Sequence, residues 1–155
     1  MKFASALIAV AAASPSNFPA FDSMHAHCSL TTTFQAGCAA TFAALDKTVK
    51  TFTDPASGIY AVVEEGSNQY VWVTRTTPVK HYVDDIIFMV GGDGSTCTVQ
   101  SKSRSQTLSY YDYDTNFCNM YNVFRSSGVA FSAPKVGDCK WVPADADLTA
   151  TCDKY

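Results

Sequence analysis

Apolar side chains recur at Phe34, Cys38, Phe42, Leu45, Val49 and Phe52. This is the three-to-four spacing that lines one face of a helix, so a first helix is predicted between Phe34 and Phe52. The run Asp54-Pro55-Ala56-Ser57-Gly58 ends it with turn chemistry, because proline fixes its own φ and glycine accepts conformations closed to other residues. A strand pattern follows. Ile59 to Glu64 and Tyr70 to Arg75, separated by Gly66-Ser67-Asn68, predict a hairpin rich in β-branched and aromatic residues. A third strand is expected from about Tyr82 to Val90, and Gly91-Gly92-Asp93-Gly94-Ser95 loops to a fourth over Thr96 to Ser101. A second helix is expected to start at Asp114 or Thr115, whose side chains can accept hydrogen bonds from first-turn amides. It continues through Phe117, Met120, Tyr121 and Phe124, with Arg125 complementing the dipole and Gly128 supplying a left-handed cap. From Ala130 onward, Pro134, Pro143 and the last two cysteines predict an irregular tail. These elements define one α+β domain, a four-stranded antiparallel sheet with two helices packed on one face.

The beginning of the chain and its cysteines add a compartment to that picture. Met1-Lys2 precedes an apolar run from Phe3 to Ala13 broken only by Ser5, and Ser14-Pro15-Ser16 follows. Such a charged start, apolar stretch and small-residue site read as a secretory signal, cut near Ala13. The run is about half of the ~20 apolar residues a membrane span needs, so no transmembrane helix is expected. The expected organisation is a signal over residues 1–13, a flexible linker over 14–27 and a single domain over 28–155. Cys28, Cys38, Cys97, Cys118, Cys139 and Cys152 all follow the signal, and an even count in an oxidising compartment predicts three disulfides. Spacing suggests Cys28 with Cys38, Cys97 with Cys118 and Cys139 with Cys152, although sequence leaves the pairing open. No C-x-x-C occurs, which disfavours a zinc knuckle or a thioredoxin-type site. A formal net charge of -3 and a pI near 5.4 supply no basic stripe, so nucleic acid is not an expected partner.

Three short motifs stand in order along the middle of the chain: Tyr82-Val83-Asp84-Asp85-Ile86-Ile87-Phe88, then Ser101-Lys102-Ser103-Arg104, then Asp112-Tyr113-Asp114-Thr115-Asn116. Together they resemble the family called domain of unknown function 1499, over about Cys38 to Arg125. The resemblance implies an α+β fold and transfers no established reaction. The chain differs from that family's pattern in a longer interval between Arg104 and Asp112. It also has Phe117-Cys118-Asn119 where basic residues usually follow the Asn, so an anion site built on those residues is not carried over.

Asp84, Asp85, Arg104, Asp112 and Asn116 are the polar residues that come with the resemblance, and they form the candidate cluster. A guanidinium matches a carboxylate bidentately, so the plain expectation is that Arg104 pairs with Asp84 or Asp85 and fixes the sheet to the second helix. The sharper one is a pair of carboxylates around a substrate, one held ionised by Arg104 and the other raised in pKa by burial. Asp112-x-Asp114-x-Asn116 copies the first ligand positions of a calcium loop, but Phe117 and Val123 stand where that loop needs glycine and glutamate. His25 or His27, if exposed as a new N-terminus, could join His81 in chelating copper; a weakly ordered terminus is the plainer account. The glycines at 91–94 have no lysine after them and open no helix, which disfavours a phosphate loop. Gly-x-Ser-x-Gly is absent, and each cysteine has an expected partner, which disfavours a hydrolase. Tyr110, Tyr111, Tyr113, Tyr121, Trp72 and Trp141 could line a sugar or protein surface, although most aromatic residues of a small domain serve its core. The expectation is a secreted, noncatalytic binding or structural module with no required cofactor, meeting an extracellular protein or glycan. The alternatives are a secreted enzyme acting on polysaccharide through the acidic cluster or a copper site, and a subunit of an extracellular filament or coat.

Overall fold

A computed structural model describes residue 15 and residues 17–144 and 147–155; the expected signal segment, residues 1–13, lies outside the described residues. The elements in chain order are β1 (His27–Phe34), α1 (Cys38–Thr51), β2 (Ile59–Gly66), β3 (Tyr70–Thr76), β4 (Val83–Gly91), β5 (Cys97–Ser105), α2 (Thr115–Ser126), β6 (Lys135–Val136) and α3 (Leu148–Cys152). They build a six-stranded antiparallel sheet in the order β2-β3-β4-β5-β1-β6.

The α+β class and the antiparallel meander β2 to β5 agree with the sequence pattern, whereas four strands and two helices fall short of the six and three found among the described residues. The largest difference is β1. Its inward residues are Cys28, Leu30, Thr32 and Phe34, all buried, so Phe34 belongs to a strand and not to the first helix. Helix α1 accordingly begins at Cys38. Strand β6 is too short to leave a period, and α3 spans a single turn near the end of the tail.

Alternation along the strands sends one face to α1 and α2 and the other away from them. On the helix face Leu30, Phe34, Val71, Val73, Ile86, Phe88, Val90 and Val99 pack against Phe42, Leu45 and Val49 of α1 and Phe117, Met120, Val123 and Phe124 of α2. On the opposite face Trp72, Ile87 and Met89 form a smaller apolar cluster, which Phe18 joins with its ring 5.5 Å from that of Trp72. The segment expected as a linker therefore contributes a side chain to the second face.

The three disulfides are Cys28–Cys139, Cys38–Cys97 and Cys118–Cys152. None matches the pairing suggested by spacing. Insertion of β1 between β5 and β6 puts Cys28 beside the C-terminal segment, and Cys38 opens α1 next to Cys97 at the start of β5. Cys118, on the buried face of α2, then meets Cys152 of α3. The turn after α1 also differs in detail. Ser57 takes the left-handed backbone, with φ 62°. Gly58 is required for space, since a Cβ there would sit 2.5 Å from both Arg75 Nε and Asp54 Oδ2.

Candidate functional site

The core changes character along its length. Reading inward positions toward one end, β4 passes from Val90, Phe88 and Ile86 to Asp84, β3 from Val71 and Val73 to Arg75, and β5 from Val99 to Ser101, Ser103 and Ser105, all buried. Helix α2 meets this end with Asn116 and Asn119. Buried polar groups need partners, and here they partner one another. Asn119 Nδ2 donates to Asp84 Oδ2 at 2.8 Å and to Ser103 Oγ at 3.2 Å. Ser103 Oγ donates to Asn116 Oδ1 at 2.6 Å, and Asn116 Nδ2 donates to Asp112 Oδ2 at 2.7 Å and to Ser105 Oγ at 3.2 Å. Arg75, paired in register with Asp84, donates from Nε to the buried Asp54, whose other oxygen accepts from the Gly58 amide at 2.6 Å. Tyr60 completes the row by donating to the Asn119 carbonyl at 3.1 Å.

Burial pushes the Asp84 carboxyl above its ordinary range, with Asp112 adding to the rise, while Asn119, Ser105 and Arg75 pull the other way. Burial likewise raises the Tyr60 phenol.

The strand period divides the expected cluster. Asp84, Asp112 and Asn116 come together on the helix face. Asp85 points to the other face, where it accepts from Trp72 Nε1 at 2.9 Å. Arg104 is the register partner of Asp85 and lies on that same face. Its Nη2 is 2.7 Å from Asp22 Oδ2 and 2.8 Å from His25 Nδ1, so the expected pairing with Asp84 or Asp85 gives way to one with Asp22. Arg104, then His25, holds the Asp22 carboxyl well below the usual carboxylate range. The helix cap differs from expectation too. Asp114 takes a left-handed conformation, and the carboxylate that accepts from the first turn is Asp112, 2.9 Å from the Asn116 amide.

The side chains weighed as calcium or copper ligands are not gathered around one point among the described residues. Asp112 faces the Asn116 side-chain nitrogen rather than its oxygen. His25 Nδ1 meets Asp22, and His27 stacks on Phe21 with ring centres 4.3 Å apart. His81 sits in the turn before Tyr82 with φ 53°. Among the described residues, no three His, Cys, Asp or Glu side chains are grouped to hold an ion.

A pocket of about 340 Å³ opens over the polar end of the core. Asp84, Ser105 and Asp112 line it from below, Thr77, Thr107, Ser109 and Thr115 add hydroxyls, and Tyr82, Leu108, Tyr111 and Tyr113 stand at its exposed margin. No Lys, Arg or His is among these lining residues. Tyr82 is presented by a tight turn in which Thr77 Oγ1 accepts from the Tyr82 amide at 2.9 Å. The other wall, residues 106–113, is buttressed from the N-terminal segment, where the Met24 carbonyl accepts from the Ser109 amide at 3.1 Å. At that wall Tyr113 and Asp114 take consecutive left-handed conformations, φ 50° and 71°, a strained arrangement for side-chain-bearing residues.

Beyond the rim the aromatic surface continues. The Tyr111 ring lies 5.0 Å from Tyr110, 5.1 Å from Trp141 and 6.4 Å from Tyr113, and the three tyrosines are 65%, 59% and 73% exposed in the order Tyr110, Tyr111, Tyr113. Trp141 Nε1 donates to the Tyr110 carbonyl at 3.0 Å. Its segment is fixed to β1 by Cys28–Cys139 and by the Lys140 amide bond to the His27 carbonyl at 3.0 Å. Of the surface candidates in the sequence, Tyr110, Tyr111, Tyr113 and Trp141 stand together here, whereas Trp72 is buried on the second face of the sheet and Tyr121 packs against the core; Asp22, Asp54, Arg75, Ser103, Ser105 and Asn119 were missed. The serines at alternate positions 101, 103 and 105 were the available signal of a polar inward face.

The family described as Protein of unknown function (DUF1499) matches residues 8–125 of the chain. A search of curated proteins found no match.

Proposed function

Because the chain belongs to the DUF1499 family, whose description carries no reaction to inherit, we propose from the site itself that it is a secreted, disulfide-bonded module that binds a glycan. The observation that carries this reading is the row of exposed Tyr110, Tyr111 and Tyr113 with the half-buried Trp141 beside them, continuous with a hydroxyl-lined pocket. Sugar rings have one apolar face and a girdle of hydroxyls. Flat aromatic side chains cover the first, and converging Thr, Ser and Asp oxygens meet the second. That no basic side chain is among the described lining residues argues against an anionic ligand. Export is supported by the apolar start of the chain and by the three disulfides, which persist in oxidising compartments.

The test is a glycan array followed by titration calorimetry with the oligosaccharides that bind. Tyr111→Ala and Trp141→Ala are expected to weaken binding about tenfold, about 1.4 kcal/mol, with thermal stability nearly unchanged. An array and a cell-wall pull-down that are both blank, or binding indifferent to both substitutions, would overturn the proposal.

One observation favours a second reading. Asp84, raised in pKa by burial, shares the pocket with a second carboxyl, Asp112, and general acid and base catalysis uses paired carboxyls. Release of shortened oligosaccharides by the parent chain, abolished in Asp84→Asn and Asp112→Asn, would favour that enzyme; intact ligand after long incubation would exclude it.

A further inference from the structure

We propose that the sugar held in this pocket carries a free, protonated amine, so that the preferred glycan is built of glucosamine-type units rather than neutral or N-acetylated ones. The inference rests on the glycan reading above and narrows it.

Asp112 is only 8% exposed, and its Oδ2 is occupied by the backbone and side-chain nitrogens of Asn116. Its Oδ1 has no hydrogen-bond partner among the described residues. A buried carboxylate oxygen without a donor is costly, and Asp112 is among the residues that line the pocket, so a ligand seated there can bring a donor to that carboxyl. Asp84 shares that floor, so the donor best suited to the site is one that also brings positive charge.

Among the described residues, no basic side chain lines the pocket. Arg75 is committed to Asp54 and Arg104 to Asp22, and neither lines the pocket. On the neighbouring platform Lys140 Nζ donates to the Ser23 carbonyl at 2.6 Å and lies 5.3 Å from the centre of the Tyr110 ring. The aromatic margin points the same way, since Tyr82, Tyr111 and Tyr113 can offer ring faces whose quadrupole attracts a cation. Acetylation of the sugar nitrogen would remove the charge and replace a three-donor ammonium with a single N–H. The volume of about 340 Å³ falls within the ordinary range of small-ligand sites, about 300–1,000 Å³.

The experiment titrates the full mature chain with three tetrasaccharides of matched linkage: glucosamine, N-acetylglucosamine and glucose. The glucosamine form is expected to bind at least tenfold more tightly than the other two. Asp112→Asn is expected to bring the three affinities together, with binding of the neutral forms retained. Asp84→Asn, on the same floor, is expected to lower the preference as well and serves if Asp112→Asn does not fold. Asp93→Asn removes the same charge from the loop at the far end of β4 and is expected to leave the preference intact.

Equal or tighter binding of the neutral forms, still weakened by Tyr111→Ala, would overturn the amine and leave the glycan module standing. A preference that falls as much in Asp93→Asn, or that survives both pocket substitutions, would mark general attraction to an acidic protein and overturn it too. No binding of any of the three, together with a blank array, would remove the glycan reading itself.

Discussion

Arg75 and Asp54 form an ion pair in which both side chains are buried, and the pair can be taken apart one charge at a time. Arg75→Met keeps most of the side-chain length but leaves the Asp54 carboxylate facing the Gly58 amide without its cation. Removing one member of a buried pair costs about 3–5 kcal/mol, because the other is left as an uncompensated charge. For a chain of this length each kcal/mol moves the melting midpoint by about 2–4 °C, so Arg75→Met is expected to lower Tm by about 10 °C. Asp54→Asn is expected to cost less. Its orphaned guanidinium still has Asp84 as its register partner on β4, a carboxyl it already draws toward the ionised form. In the double variant both charges are gone, and stability is expected to return to within about 1 kcal/mol of the parent. Calorimetric melting and urea titration of all four proteins give the coupling energy. An Arg75→Met protein within about 1 kcal/mol of the parent, or a double variant as unstable as the two single losses added together, would refute the buried ion pair as the source of this stability.

Three further outcomes follow from the same geometry. Cys28→Ala/Cys139→Ala removes a bridge of sequence separation 111; with the other two bridges shortening the path to about 45 residues, chain entropy predicts a loss of about 4 kcal/mol and a Tm about 10 °C lower, together with weaker ligand binding as Trp141 loosens, both read by melting and titration. Asp84 is raised in the folded state, so between its unfolded and folded values the native chain holds the extra proton and stability falls as pH rises through the folded value. Asp84→Asn should therefore stabilise more at pH 7 than at pH 4, and melting curves showing an equal or reversed gain would refute that. Asp22 is lowered, so its contribution is present above the ordinary carboxylate range and lost as pH falls toward the folded value; Asp22→Asn should lose stability at neutral pH and match the parent in strong acid, as acid titration followed by circular dichroism would show.

The meander β2 to β5 and both long helices were legible because each shows its own period over many residues. Strand β1 was not, because Thr31, Thr32 and Thr33 hide the alternation of Cys28, Leu30 and Phe34, and Phe34 also fits the helical spacing that follows. Missing β1 made the disulfides unreadable, since its insertion beside β6 is what brings Cys28 to Cys139. At the site, Asp84, Asp112 and Asn116 were named together, and the structure brings them to the same end of the helix face. Asp85 and Arg104 were grouped with them by motif, yet the strand period of two places Asp84 and Asp85 on opposite faces. The remaining network lay beyond pattern reading because Arg75, Ser103, Ser105 and Asn119 are polar residues at inward positions, and only tertiary contact tells a buried serine from an exposed one.

The insertion of β1 also sets an order of events. The strand made first in synthesis must wait for β5, with 71 residues separating Leu30 from Ser101, whose hydroxyl meets its carbonyl. Closing so long a loop is entropically costly, and topologies rich in such distant pairings fold slowly. The meander β2 to β5 needs only hairpin-scale closures and can assemble beforehand, leaving β5 as a template onto which the threonine-rich strand docks. Only then does β6 have an edge to join. The tail carrying Trp141 is thus the last part of the molecule to find its place, and the aromatic surface matures at the end of folding.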